Sequence, residues 1–185
     1  MLDDGLFPAP PAIPRRAGSG SRVPVIPDPD LPLNQRAQQR FWRHVARGEK
    51  DQCWIWVGAI SSPDGYGRFT WQHDRRRRTV SAHRVALMIA HGGELPEGLV
   101  GEHYCCEPLC VRVGDGHLRL TTQATNLARA VALGRHVSNR ETVASFDRAV
   151  RSFRVRDAVL GGWNEQALRA AQGGIPSPED QPGLW

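Results

Sequence analysis

Within the 25 residues from Glu102 to Asn126 stand three of the chain's four cysteines, two of its seven histidines and one asparagine that opens a helix-like run. Cys105, Cys106 and Cys110 lie too close together to build a disulfide framework, so the cluster reads as metal ligation rather than cross-linking. Zinc takes four thiolate or imidazole ligands in a tetrahedron, and tight turns supply them at low entropic cost. Cys105-x4-Cys110 followed by His117 gives three ligands around one knuckle. Cys53, the remaining distant cysteine, is the candidate fourth. Such a Cys3His site would clip an upstream hairpin to the knuckle, which suits a small domain with a modest core. Cys106 competes with Cys105 as ligand, since either spacing can form a turn. The alternative is a set of buried thiols without metal.

No apolar run approaches the length of a membrane span. Met-Leu-Asp-Asp-Gly-Leu-Phe-Pro carries acid and proline where a signal peptide needs positive charge and an apolar helix, so a cytoplasmic location with reduced thiols is expected, in a bacterium or a phage-infected host. The formal net charge is +5, and its source is local. Residues 1–34 and 141–185 are each near balance, whereas residues 35–140 carry 16 basic against 9 acidic side chains. A basic middle between neutral flanks points to a polyanion, of which nucleic acid is the common case.

The 185 residues allow one domain with tails. Residues 1–34, with eight prolines, have little to bury and read as a disordered or extended arm. Asn34 is placed to cap a helix from Gln35 to about Arg47. Cys53–Ile60 is strand-like, Ser61–Gly65 is turn chemistry, and Tyr66–Trp71 reads as the returning strand of a hairpin. Arg75, Arg76, Arg77 and Arg78 follow. Ser81 then caps a helix over Ala82–Ala90, stopped by Gly92-Gly93. Leu99-Val100 leads as a strand into His103. Leu118–Thr121 is a second strand, and Thr122 caps a helix from Gln123 to about Leu133 that carries Asn126. Two further helices, Val143–Leu160 and Trp163–Ala171, are joined by Gly161-Gly162 and read as a packing hairpin. The fold class is α+β, divided as an arm (1–34), a core domain (35–140) and a helical extension with a tail (141–185).

With His117 assigned to metal, His103 is held beside the knuckle without belonging to it. An imidazole near neutrality can act as general base on water. Asn126 offers a neutral carbonyl oxygen suited to Mg²⁺. A strand ending in His, a knuckle, a second strand and a helix bearing Asn form a compact frame for both.

In order and spacing, His103-x-Cys105-x4-Cys110, His117-Leu118 and Asn126 resemble the ββα-metal core of the HNH (His-Me finger) endonucleases, in particular the His-Cys box homing endonucleases and related phage proteins. Cys53-Trp54-Ile55-Trp56, Gly65-Tyr66-Gly67-Arg68-Phe69 and Ala82-His83-Arg84 resemble signatures that precede the core in the phage proteins. The resemblance covers about residues 38–134. It implies a small zinc-stabilised ββα-metal domain that hydrolyses DNA phosphodiesters. His103 would be the general base and Asn126 a ligand to catalytic Mg²⁺, with Glu102 standing where many members have a metal-binding aspartate. Cys53, Cys105, Cys110 and His117 would hold structural zinc, and the family spacing favours Cys105 over Cys106. Arg68 and Arg84 would lie near the phosphate, and Arg75–Arg78 would contact DNA. Six residues separate Cys110 from His117 where four is usual, and Gly114 and Gly116 allow that loop to bulge. Cys106 is additional.

The leading expectation is therefore a Mg²⁺-dependent, zinc-stabilised endonuclease acting on double-stranded DNA, of the homing or phage type, with a homodimer needed for concerted double-strand cleavage. A non-catalytic zinc-dependent DNA-binding protein derived from the same fold is the alternative, and a zinc protein without a nucleic-acid role is a third reading. The joint presence of His103 and Asn126 favours the enzyme.

Overall fold

The computed structural model describes residues 24–133 and 141–173. The N-terminal part of the expected arm (1–23) and the tail (174–185) lie outside the described residues. The described chain is mixed α+β, with three small sheets and helices packed around them.

Asn34 caps the first helix, α1 (Gln35–Trp42), its Oδ1 accepting from Ala37 N at 2.9 Å, and Ala37 and Phe41 supply the buried face. The helix ends at Trp42, five residues short of the expected Arg47. His44 N bonds back to Phe41 O, and Val45–Arg47 leaves as a strand, β2, antiparallel to β3 (Trp54–Trp56). The β-branched Val45 paired across from the buried Trp56 outweighs a helix propensity worth only tenths of a kcal/mol per residue.

The expected hairpin between Cys53–Ile60 and Tyr66–Trp71 survives only as an Ile60–Gly67 bridge. The strand β4 (Arg68–His73) instead pairs along its length with β5 (Arg76–Ser81), so most of the arginine run is strand. Asp74 and Arg75 form the two-residue turn with φ of 47° and 63°, the left-handed pair that matches hairpin twist. That turn hides from sequence inspection because arginine, unlike glycine, rarely adopts such a conformation. A short segment, β1 (Ile26–Pro27), runs parallel to β5, and Leu31 and the Pro32 carbonyl follow it into the core, the latter accepting from Trp71 Nε1 at 3.0 Å. Residues 24–33 are thus an extended strap on the sheet.

The core gathers Phe41, Ile55, Trp56, Phe69, Trp71, Val85, Leu87, Leu109 and Leu118. From one side it receives α2 (Ala82–Ala90). The antiparallel strands β6 (Leu99–His103) and β7 (Leu118–Thr122) lie next to it, and α3 (Gln123–Ala132) starts directly after β7 with Thr122 Oγ1 accepting from Thr125 N. The helices α4 (Glu141–Leu160) and α5 (Glu165–Gln172) form the C-terminal hairpin. They are part of the same core: Val155, Val159 and Leu168 are buried in it, and Arg151 reaches the buried Glu107 at 2.9 Å.

Candidate metal centre and the histidine beside it

Backbone pairing explains how Cys53 meets a knuckle more than fifty residues away. One edge of β3 takes β2, and the other takes the knuckle: Trp56 N donates to Leu109 O and Val111 N to Trp54 O, both at 2.8 Å. Cys53, one residue before β3, is thereby set against Cys110. At the end of the β6–β7 pair, Tyr104 N donates to His117 O at 2.6 Å, which fixes His117 opposite Tyr104, next to Cys105. Gly114 and Gly116, with φ of 144° and 80°, make the loop between Cys110 and His117.

The ligand atoms of Cys53, Cys105, Cys110 and His117 all lie within 4.8 Å of one another. His117 Nδ1 is 3.6 Å from Cys53 Sγ and 3.8 Å from Cys110 Sγ. A tetrahedral ion at ~2.3 Å from sulfur and ~2.0 Å from nitrogen puts those atoms roughly 3.5 Å apart. The donor set therefore fits a metal such as zinc. Electrostatics agree: three thiols packed together cannot ionise independently. Donation to Cys105 and Cys110, with burial, holds the Cys53 proton far above its ordinary range. Cys110 is driven the other way. Desolvation opposes its ionisation, but donors from Cys105, Cys53 and the backbone of Arg112 and Trp54 outweigh it. Cys105 is lowered as well; Cys110 opposes the shift, while Cys53, His103 and His117 favour it. A divalent cation would neutralise this concentrated charge.

The choice between the adjacent cysteines is made by geometry. Cys106 sits at φ 64° and its thiol turns away to donate to Tyr104 O at 3.4 Å, leaving Cys105 in the cluster.

His103 is the last residue of β6 and is not among the four clustered ligands. Its ring packs 5.0 Å from that of His83, edge to face, and 6.0 Å from that of Tyr66. Both ring nitrogens are buried and make no hydrogen bond of good geometry among the described residues, although His103 is close enough to Cys105 to favour its ionisation; His83 Nδ1 is likewise without a geometric partner. Burial, then the positive influence of His103, Arg84 and Arg68, lowers the His83 pKa to about 3, so His83 is neutral beside His103. Neither Tyr66 nor His83 has a role in the sequence-based expectations; the Gly-Tyr-Gly and Ala-His-Arg signatures were the available signal.

Neighbouring residues on a strand face opposite ways. Gly101, on the side of His103, faces Leu87 and His83 of α2. Glu102 faces α3 instead. Its carboxylate, 2% exposed, meets Arg119 Nε at 2.9 Å and Arg129 Nε at 3.3 Å. Asn126, partly buried on α3, lies three residues before Arg129 and so shares its face of the helix. Glu102 thus lies to one side of the β6–β7 pair and the His103 ring to the other. Glu102 is already charge-compensated by two arginines.

The predicted DNA-contacting arginines divide. Arg78 is committed to the fold: it pairs with Glu94, donates to Leu31 O and lies over Trp71. Arg76 pairs with Asp28 at 3.4 Å, and Arg68 with Asp64 at 2.6 Å. Arg75, Arg77 and Arg84 are exposed and have no carboxylate partner among the described residues. Arg68 and Arg84 border one surface pocket of about 280 Å³.

No protein-family model, no curated protein and no solved structure matches the chain. None of the helices described is long and apolar enough to cross a membrane.

Proposed function

We propose that the chain is a DNA endonuclease of the ββα-metal, HNH type, in which a Cys3His metal centre holds the knuckle and His103 performs the chemistry. One observation carries the reading: Cys53, Cys105, Cys110 and His117 complete a ligand set among themselves, and His103, two residues from a ligand, is left out of it, its buried ring linked to the set only through the Cys105 thiol. Buried polar groups almost always find partners, and exceptions concentrate where a ligand or reacting group completes them. The β6–β7 pair running into the Asn126-bearing α3, and the excess of basic charge, support the same reading.

In this account a His103 nitrogen takes a proton from water as its oxygen attacks phosphorus, the P–O3′ bond breaks, and the departing O3′ takes a proton from solvent water, leaving 5′-phosphate and 3′-hydroxyl ends. His83, whose pKa is lowered to about 3 by burial, is too weak a base to compete for that proton. Asn126 offers the amide oxygen that would hold a catalytic Mg²⁺, which when bound supplies charge neutralisation at the scissile phosphate. Glu102 orients Arg119 and Arg129 along the same side. Arg84 is the free guanidinium best placed for the phosphate beside the His83–His103 pair. Each chain carries one such site, so concerted double-strand cleavage takes two chains.

The commitment of Glu102 to two arginines favours a second reading, a metal-stabilised DNA-binding protein without catalysis. Incubation of supercoiled plasmid with wild type and His103→Ala, with and without Mg²⁺, separates the two. Mg²⁺-dependent nicking lost in His103→Ala supports the enzyme. Nicking that survives the substitution removes His103 as base, and plasmid binding without nicking by any metal-loaded preparation supports the binding protein.

A further inference from the structure

The charge of this protein is sorted by position. Nine described arginines, among them Arg68, Arg112, Arg119 and Arg151, lie within ion-pair distance of a carboxylate. On α1, the turn that follows it and β2, Arg36, Arg40, Arg43 and Arg47 have none among the described residues, and between residues 31 and 48 there is no acid at all. Arg36, Arg40 and Arg43 are spaced four and three apart, which puts them on one face of the helix.

That face borders an open groove of about 760 Å³ between α1 and β4, whose other lining includes Gln39, Gln72 and His73. The groove's chemistry is guanidinium, amide and imidazole, and no carboxylate lines it. Asp74, the residue after His73, is an exposed turn residue whose carboxylate lies 3.2 Å from His73 Nδ1 and does not line the groove. Arg40 is pinned in place by donating to the Thr70 carbonyl and by lying 5.0 Å over the Phe69 ring. Arg36 and Arg43 are exposed on either side of it. From Arg36 to Arg43 the helix rises ~10 Å, the axial span of about three phosphates of one DNA strand at ~3.4 Å each.

We propose that the α1–β4 groove is a second contact for duplex DNA, in which Arg36, Arg40 and Arg43 track the phosphate backbone of one strand outside the candidate reaction site. Donors in a row without base-reading geometry give affinity and register rather than sequence preference. The proposal rests on the nucleic-acid half of the function proposed above and not on its chemistry.

The test is the salt dependence of duplex binding by the full chain, loaded with zinc and measured by fluorescence anisotropy without Mg²⁺. Arg36→Ala/Arg43→Ala should lower the log–log slope by about 1.8, because each lost phosphate contact removes ~0.9. Wild type would then lose on the order of tenfold more affinity than the variant between 50 and 200 mM salt. Arg36→Lys/Arg43→Lys should restore the slope. Arg154→Ala, which removes an exposed arginine on α4, should leave it unchanged. Circular dichroism and zinc content confirm that each variant is folded. An unchanged slope in the double alanine variant, with binding intact, overturns the groove alone. A fall of the same size in Arg154→Ala also overturns it, since charge anywhere would then suffice. If the double variant loses affinity for polyaspartate but not for DNA, the groove serves an acidic polypeptide and the proposal is wrong. Failure of wild type to bind duplex at low salt removes the nucleic-acid reading and the groove together.

Discussion

Replacing Arg151 with methionine tests how firmly the C-terminal helices are joined to the metal knuckle. Glu107, 1% exposed between Cys105 and Cys110, accepts from Arg151 at 2.9 Å, from Gln172 at 3.3 Å and from the backbone N–H of Leu109 at 3.1 Å. Arg151→Met removes the one formal positive charge in that set and leaves a buried carboxylate with neutral donors. Breaking a buried pair from one side costs about 3–5 kcal/mol. Against a total stability of about 5–15 kcal/mol that is a large fraction. At about 2–4 °C per kcal/mol for a chain of this size, the midpoint should fall by roughly 6–20 °C. Arg151→Met/Glu107→Gln should recover most of the loss, because it removes the uncompensated charge as well. The assay is thermal unfolding of zinc-loaded protein at fixed free zinc, run as a double-mutant cycle. A loss below about 1 kcal/mol in Arg151→Met, with no recovery in the double variant, would refute the reasoning. Val155, Val159 and Leu168 would then hold the helices alone.

Two further outcomes are expected. The folded His83 pKa, about 3, is below the ordinary 6.5, so as pH falls below 6.5 the unfolded chain takes a proton that the folded one refuses. Stability is therefore lost on acidification, at up to ~1.4 kcal/mol per pH unit, and His83→Gln should narrow its gap to wild type by about 2 kcal/mol between pH 7 and pH 5 in urea titrations; a constant gap contradicts this. Gly67→Ala should destabilise by about 1–3 kcal/mol in the same titrations, because its Cβ would stand 2.9 Å from that of Ala82 and closer still to Trp56, and a neutral result would mean that Trp56 repacks freely.

What could be read in the sequence followed local chemistry. Thr122 marks the start of α3 because a hydroxyl there caps the helix, whereas Ser81 holds the N-cap position of α2 without a side-chain cap hydrogen bond. Cys53 was identifiable as fourth ligand by its chemical type, but its route to the site is tertiary: β3 pairs with the knuckle through Trp54 and Leu109, which no local pattern announces. The same holds for β2, where Val45 leaves a helix to pair with Trp56, and for β1, where a proline-rich strap finds the free edge of β5. The arginine run looked uniform, yet strand alternation and Glu94, Asp28 and Trp71 assign its members different work. The α1 arginines were visible at helical spacing, but their significance needed the knowledge of which other arginines are neutralised.

In the proposed function one histidine beside the knuckle serves structure and the other chemistry, and zinc stoichiometry in His103→Ala and His117→Ala tests that division most directly. Retention of one zinc per chain in His103→Ala and its loss in His117→Ala is the predicted result. Zinc lost from His103→Ala and retained in His117→Ala would exchange the two roles and contradict it.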